Sequence, residues 1–224
     1  MTLLQAWGVG PIRANTVALN LYENRSEQAA ASALRYGRLL RRAIHLDQNV
    51  VIFDAGETDW VRMEETKSGK RRIDVWWFDD DSSRLCLLFA YLMTRTEEWD
   101  EATLRVVVPA PPTATTRTDA DLTTRLDELR IDAEVQVVTG EEIATYQPSA
   151  DASIVFVPLR IEGMALRDPN GQAFSERLGA LPIVAMVAAR GDVPLHVEGD
   201  ADTPTEPPED DDGSVPSPEP VQPT

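Results

Sequence analysis

The clearest hydrophobic pattern in the chain is an apolar stretch, residues 73–78, followed directly by the polar run Asp79-Asp80-Asp81-Ser82-Ser83. Side chains alternate along a strand, so this stretch would place bulky groups on both of its faces. The two sets are Ile73, Val75 and Trp77 on one face, and Asp74, Trp76 and Phe78 on the other. Bulk on both faces is typical of a strand covered by layers on both sides. The pattern predicts a buried central strand, then an acidic turn, then the start of a helix.

Apolar residues at helical spacing predict a long helix from about Asn24 or Ser26 to Leu46. Its apolar positions are Ala30, Ala33, Leu34, Gly37, Leu40 and Ile44. The other side carries Arg35, Arg38, Arg41 and Arg42. We interpret these arginines as a solvated face rather than as a binding site for an anion.

Three further helices follow from the same spacing. They are centred on Leu85, Leu88, Phe89 and Leu92, on Leu122, Leu126 and Leu129, and on Phe174, Leu178 and Leu181. Residues 57–70 are polar and irregular, and we expect a hairpin or a surface loop there.

Short apolar runs predict seven strands between the helices. They cover residues 15–21, 50–53, 72–78, 104–108, 133–138, 153–157 and 183–188. Because most of these runs are continuously apolar rather than alternating, both faces of the sheet should be covered. The fold class predicted is therefore α/β, with a mainly parallel sheet of about 5–7 strands and helices on both faces. The direction of the strand at residues 72–78 stays open.

Composition divides the 224 residues into two parts. From residue 196 to residue 224 the chain has nine acidic residues, seven prolines and no Lys or Arg. Such a segment cannot bury enough apolar surface to offset the entropy lost on ordering. We therefore expect one α/β domain over residues 1–195 and a disordered, acidic, proline-rich tail over residues 196–224.

Charge and composition also exclude several classes of protein. The net charge of −17 argues against binding to nucleic acid, which requires concentrated positive charge. No apolar run approaches the roughly 18 residues that a membrane span needs, so direct insertion into a membrane is not expected. The start of the chain lacks the features of a signal peptide, and Cys86 is the single cysteine. These features predict a soluble protein of the cytoplasm, a reducing compartment.

Familiar catalytic and cofactor motifs are missing. The pair Gly8 and Gly10 precedes a strand, whereas a dinucleotide-binding glycine motif follows one, so a tight turn is the better interpretation. His45 and His196, the two histidines, are poorly placed for a catalytic triad. Cys86 lies in an apolar helix and is expected to be a small core residue. The chain is therefore predicted to be no enzyme, with no catalytic residues and no cofactor.

One acidic cluster is the weak candidate for a metal site. Asp54 ends one predicted strand, and Asp79, Asp80 and Asp81 end another. If those two strands are parallel neighbours, the carboxylates meet at one edge and could hold a hard cation. The alternative is a solvated turn that caps the next helix. Asp74, within the strand, needs a partner, for which Arg72 or a backbone amide is a candidate.

Several segments resemble, in order, the cytosolic C-terminal domain of cation-chloride cotransporters, in the amino acid-polyamine-organocation superfamily. The resemblance lies in residues 8–17, in Ile73-Asp74-Val75-Trp76-Trp77 with its acidic turn, in Trp99 and residues 104–108, in residues 129–138, and in residues 153–190. It covers roughly residues 7–190. The membrane helices and the first α/β half of the family's domain are missing, so the likeness is to the second half. The family's turn after the two tryptophans usually has two glycines, which Asp80-Asp81-Ser82-Ser83 replaces here.

The resemblance implies a non-catalytic regulatory domain with a Rossmann-like fold similar to universal stress proteins. It implies a homodimer and a transmembrane transporter domain as partners, the latter in the same longer chain or in a separate subunit. The domain would then lie at the cytosolic face of the cell membrane and influence coupled movement of potassium or sodium with chloride. Two other functions stay open. One is a stand-alone module that binds a nucleotide or small ligand, and the other is a metal-dependent enzyme using Asp54 and Asp79 to Asp81.

Overall fold

A seven-stranded, mainly parallel sheet forms the centre of the molecule. The computed structural model describes residues 8–9, 12–13, 15–21, 29–110, 117–162, 165–174 and 181–193. The strands lie in the spatial order β3 (Thr16–Asn20), β4 (Asn49–Asp54), β11 (Ile183–Ala188), β8 (Ile154–Pro158), β5 (Arg72–Trp76), β6 (Thr103–Pro109) and β7 (Glu134–Val138). Neighbouring strands are parallel except β4 and β11, which are antiparallel. The predicted α/β class, strand number and parallel character are confirmed.

Two short antiparallel pairs lie outside this sheet. Strand β1 (Gly8–Val9) pairs with β2 (Ile12–Arg13), and β9 (Arg160–Glu162) pairs with β10 (Ala165–Arg167). The hairpin of β1 and β2 agrees with the interpretation of Gly8 as part of a turn region rather than of a phosphate loop. The sequence pattern did not predict β9 and β10.

Helices cover both faces of the sheet. They are α1 (Ala29–His45), α2 (Glu57–Glu65), α3 (Asp81–Thr94), α4 (Arg117–Glu128) and α5 (Glu141–Thr145), with 3-10 turns at Ser68–Lys70 and Gln147–Ser149. Side chains of α2, α3 and α4 pack in one apolar cluster, together with Ile73, Val75 and Trp77 of the central strand and its extension. Helix α1 packs in the other cluster, with Trp76. The predicted two-faced character of residues 73–78 is confirmed.

Helix α1 agrees with the prediction over its described residues. Gly37 and Leu40 are buried, whereas Arg38 and Arg41 are exposed. The predicted start at Asn24 or Ser26 lies outside the described residues, as does most of the predicted short helix around Leu178. The predicted tail, residues 196–224, also lies outside them.

The expected hairpin or loop at residues 57–70 is wrong, because α2 occupies most of it. The backbone N–H of Gly56 donates to the carboxylate of Asp59 at 2.9 Å, which satisfies one free donor at the helix start. Trp60 then packs on Phe53, with 6.0 Å between the ring centres. The packing of one aromatic residue and a local cap thus stabilise α2. The helix has too few apolar residues to be predicted from hydrophobic spacing.

The predicted inner face of α3 is right for Leu85 and Phe89 but wrong for its other two residues. Leu88 and Leu92 were expected to face the core, but they are 38% and 51% exposed. The buried residues are Ser83, Leu85, Cys86, Leu87 and Ala90. Small residues let a helix approach a sheet closely. Because α3 is apolar on several sides, the hydrophobic spacing alone does not decide which side is buried.

None of the helices in the described part of the chain has the length and apolar character required to span a membrane.

Candidate functional site

A cleft of about 370 Å³ opens at the carboxyl-terminal edge of the parallel strands. It is lined by residues that follow three strands: Asp80, Asp81 and Ser82 after β5, Leu159, Arg160 and Ile161 after β8, and Ala188, Ala189 and Arg190 at the end of β11. The chain runs from β5 outward through β6 to β7, and then returns to β8 on the other side of β5. Such a reversal of strand order is where open α/β sheets bind ligands.

The acidic turn beside this cleft caps α3. Asp80 accepts hydrogen bonds from the backbone N–H of Ser83 at 2.8 Å and from the Ser83 hydroxyl at 2.7 Å. The backbone N–H of Phe78 in turn donates to the Ser83 hydroxyl at 2.9 Å. Asp80 is therefore engaged in holding the strand-to-helix junction, as the alternative interpretation of the acidic run predicts.

Asp79 and Asp81 are paired with arginines. Arg84 lies 3.0 Å from Asp81 and 3.8 Å from Asp79, and Arg125 of α4 lies 3.9 Å from Asp79. Asp79 has a positive φ of 55°, a conformation that Asp tolerates better than most residues. The turn thus combines local capping with exposed ion pairs, and carboxylates in its lining oppose a phosphate group in the cleft.

Asp54 is separated from the other three candidates. Strand β4 is antiparallel to β11, which is itself parallel to β8, and β8 to β5. The carboxyl ends of β4 and β5 therefore lie at opposite edges of the sheet, and the condition for a joint site of Asp54 with Asp79 to Asp81 is not met. No group of three or more His, Cys, Asp or Glu placed to hold a metal occurs among the described residues.

Asp74 lies in a buried polar network on the face of β5 that also carries Trp76. Its side chain is 0% exposed and forms ion pairs with Arg72, at 3.1 Å, and with Arg105 of β6. Arg105 also donates to Gln136 of β7 at 2.6 Å and to the carbonyl oxygen of Pro148 at 2.7 Å. The network ties three neighbouring strands to the 3-10 turn after α5. Arg72 was predicted as the partner, whereas Arg105 was not.

The outer end of this network reaches solvent. Arg72 makes a two-pronged contact with Asp151, whose side chain is 76% exposed. The hydrogen bond from Arg72 holds the pKa of the Asp151 carboxyl below its ordinary value. The same hydrogen bond raises the pKa of Arg72. Asp74 is therefore compensated on the inside, and Asp151 neutralises the second arginine at the surface.

An aromatic cluster continues the same face. Trp76 donates its indole N–H to the Ser149 hydroxyl at 3.0 Å, and its ring meets Tyr146 edge-on, with centres 4.6 Å apart. Tyr146 has a positive φ of 53°, so the chain turns sharply there and brings the residues after α5 onto the sheet. These contacts place Trp76 in the core, and Trp77 is buried in the cluster on the opposite face of the sheet.

Cys86 is confirmed as a core residue, since it is 0% exposed. Burial raises the pKa of its thiol well above the ordinary value, which disfavours the reactive thiolate. His45 lies exposed at the end of α1, and His196 lies outside the described residues. The described residues thus offer no histidine beside a nucleophile.

Two features of the cleft and its surroundings were missed from the sequence. Arg160 and Arg190 line the cleft, but each follows a strand in an ordinary-looking segment. Leu88 and Leu92 are exposed on α3, although their spacing resembles that of a core stripe. The sequence held one signal for the exposed leucines: α3 has more apolar residues than one buried face requires. It held none for the two arginines.

Residues 57–159 match the family profile of solute carrier family 12. The chain is 31% identical over 140 residues to potassium/chloride cotransporter 3 of Caenorhabditis elegans, which is 61% of this chain and 12% of the relative. It is 32% identical over 115 residues to solute carrier family 12 member 2 of Squalus acanthias, which is 51% of this chain and 9% of the relative. The chain thus spans about a tenth of the length of these relatives.

The fold is similar to a solved structure, the cytoplasmic domain of a prokaryotic cation chloride cotransporter. The TM-score is 0.58 at 18% identity, and the likeness covers 85% of this chain and 69% of the other. The α/β architecture around the cleft is therefore that of a known cytoplasmic domain.

Proposed function

We propose that the chain is a non-catalytic, cytoplasmic regulatory domain of a cation-chloride cotransporter, which the match of residues 57–159 to the profile of solute carrier family 12 supports. The observation that carries the proposal is the likeness in fold to a cotransporter cytoplasmic domain over 85% of the chain. The matched family is a family of transporters and not of enzymes.

The transported ions would be potassium or sodium together with chloride, moved by a transmembrane domain in the same longer chain or in a separate subunit. The domain would lie at the cytosolic face of the membrane. Its regulatory action would come from contacts of its surface, because the carboxylates in and beside the core already have partners within the fold. Asp74 and Asp80 illustrate this, since each is committed to partners within the fold.

The test is ion uptake per transporter molecule. The transporter that carries or accompanies this chain is expressed in cells with the chain intact and with the chain deleted. Chloride-dependent rubidium uptake is then divided by the amount of transporter at the cell surface. A regulatory domain should change this ratio. An unchanged ratio, with the two forms equally abundant at the surface, would contradict the proposal.

We propose in addition that the domain forms a homodimer. The motivation is the family resemblance, and the exposed pair Leu88 and Leu92 on α3 supplies an apolar surface of the kind that protein interfaces use. These two residues lie one helical turn apart, so they present their side chains on the same side of the helix.

A second candidate function is a module that binds a small ligand in the cleft. The position of the cleft at the reversal of strand order favours this function. The carboxylates of Asp80 and Asp81 in its lining oppose a nucleotide phosphate. Calorimetry with ATP and with cyclic dinucleotides tests the idea. Saturable binding that Arg160→Glu abolishes would support this function. Absence of binding would exclude these nucleotides as ligands of the cleft.

A further inference from the structure

Helix α1 presents a basic surface formed by Arg38, Arg41, Arg42 and His45. Arg38, Arg41 and His45 are exposed, and Arg42 is half-buried. The 17-residue helix contains no acidic residue. Among the described residues, no carboxylate lies within ion-pair distance of these arginines, whereas Arg72, Arg84, Arg105, Arg125 and Arg167 all have such partners. The surface therefore carries concentrated, uncompensated positive charge on an otherwise acidic chain.

The chain passes the end of this helix shortly before the last described residues. Ala188 pairs with Val50, and the backbone N–H of Arg190 donates to the side chain of Asn49 at 3.0 Å. Asn49 is four residues beyond the end of α1 at His45. Beyond Arg190 the chain turns toward α3, where the backbone N–H of Val193 donates to Asp81 at 3.4 Å. Residues 194–224 therefore continue from the edge of the sheet at which α1 ends, on the side covered by α3.

We propose that the acidic segment, residues 196–224, docks on the basic surface of α1 within the same molecule. Its nine acidic residues, with no Lys or Arg, have the complementary charge. Proline-rich, charged segments extend at about 3.1 Å per residue, so the roughly 17 residues from Val193 to Asp210 reach up to about 53 Å. Helix α1 is about 25 Å long, at about 1.5 Å per residue, so this reach allows the acids at residues 209–212 to pass the edge of the sheet and meet the arginines.

Covalent attachment makes a weak contact sufficient. A linker whose length matches the distance between two sites gives an effective concentration of about a millimolar, so a millimolar intrinsic affinity already fills the surface about half of the time. The contact is electrostatic, and the Debye length is about 8 Å at physiological salt. The docked state is therefore in equilibrium with the free one and responds to ionic strength. It would cover or uncover α1, on the face of the sheet opposite Leu88 and Leu92.

Paramagnetic relaxation measured by NMR on the full chain tests the proposal. A nitroxide is attached through Ser214→Cys, next to the acids at 209–212. The wild-type chain treated with the same reagent serves as the blank, because Cys86 is fully buried. At low salt, the amide signals of residues 38–45 should broaden, and those of α2, on the other face of the sheet, should not. At 0.5 M NaCl the broadening should disappear.

Two charge-reversal variants make the test specific. The pair Arg38→Glu and Arg41→Glu should abolish the broadening on α1. The pair Arg62→Glu and Lys67→Glu, two exposed residues in and just after α2, makes the same change in net charge and should leave it intact. Equal broadening of α1 and α2, or broadening that survives reversal of Arg38 and Arg41, would overturn the proposal. So would binding of α1 to vesicles rich in phosphatidylserine without any broadening by the label, which would identify α1 as a membrane contact.

Discussion

At the scale of single residues, Asp74 shows how the sheet accommodates a buried charge. A carboxylate with 0% exposure is tolerated because Arg72 and Arg105 both pair with it. The Asp74 side chain is surrounded by polar groups on its own face of β5. Ile73 and Val75, on the opposite face, belong to an apolar cluster. The strand therefore tolerates a charge because the compensation comes from its own neighbour in sequence and from the adjacent strand.

Replacing this carboxylate should cost far more than replacing the exposed one. Asp74→Asn leaves two arginines without their shared partner in a desolvated site, which typically costs about 3–5 kcal/mol. Asp151→Asn, the matched change at the 76% exposed end of the same network, should cost about 1 kcal/mol or less. Urea unfolding of both variants measures the two free energies. Similar losses of unfolding free energy for the two variants would contradict the assignment of Asp74 to the buried end of the network and of Asp151 to its exposed end.

Tyr36 of α1 should produce a stability change at alkaline pH. Burial raises the pKa of its phenol from 10.0 to about 12. The unfolded chain releases this proton at lower pH than the folded chain does. The free energy of unfolding should therefore be insensitive to Tyr36 below pH 10 and should decrease as pH rises from about 10 to about 12.

Absorbance at 295 nm against pH detects the phenolate directly. The absorbance change near pH 12 should be larger in the wild-type chain than in Tyr36→Phe, by the amplitude of one tyrosine. If Tyr36→Phe leaves this absorbance change at its wild-type amplitude, the assignment to this residue is wrong.

At the scale of elements, the junction between β5 and α3 shows how an acidic run can be structural. Asp80 satisfies the start of the helix, and Asp79 and Asp81 pair with Arg84. The three neighbouring carboxylates thus have two distinct roles: Asp80 caps the helix, and Asp79 and Asp81 form ion pairs with an arginine of its first turn.

Removing this cap should destabilise the fold through α3. Asp80→Ala deletes the acceptor of two hydrogen bonds and should cost about 1–2 kcal/mol, as N-cap replacements do. Asp79→Asn, at an exposed position whose left-handed conformation Asn also tolerates, should change the stability by about 0.5 kcal/mol or less. Thermal unfolding of the two variants makes the comparison. Addition of Ca²⁺ or Mg²⁺ should not shift either transition, and a shift that Asp80→Ala abolishes would restore the metal-site hypothesis.

The elements also show what the sequence could and could not predict. Runs such as 183–188 predicted their strand correctly because a buried strand is apolar throughout. Helix α2 was missed because Trp60 and Met63 carry most of its packing, and two apolar residues do not make a pattern. The buried side of α3 was partly misassigned because Cys86 and Ala90, small residues, lie against the sheet instead of Leu88 and Leu92. Arg105 was missed because its pairing depends on which strand lies next to β5.

At the scale of the whole molecule, the two faces of the sheet differ in the surfaces that they offer. The face covered by α3 exposes Leu88 and Leu92, and the face covered by α1 exposes Arg38 and Arg41. An apolar surface favours association with another protein surface, whereas a basic one favours an acidic partner. The two proposed contacts can therefore be separated by mutation.

Sedimentation equilibrium should show a dimer for the wild-type chain. The double change Leu88→Glu and Leu92→Glu places two like charges at the proposed interface and should shift the population to monomer. Arg38→Glu with Arg41→Glu, on the opposite face, should leave the dimer intact. A wild-type chain that remains monomeric at high concentration would contradict dimerisation, and a dimer that survives the leucine changes would place its interface elsewhere.

The antiparallel pairing of β4 with β11 has a consequence for synthesis of the chain. Among the described strands, β3 and β4 are hydrogen-bonded to the other five sheet strands through β11 alone. About 130 residues separate the end of β4 at Asp54 from the start of β11 at Ile183. At about 5–20 residues per second, a ribosome needs roughly 6–26 s to make that interval. During this time the amino-terminal strands have no β11 to pair with, and their apolar edge stays available to chaperones or to other nascent chains.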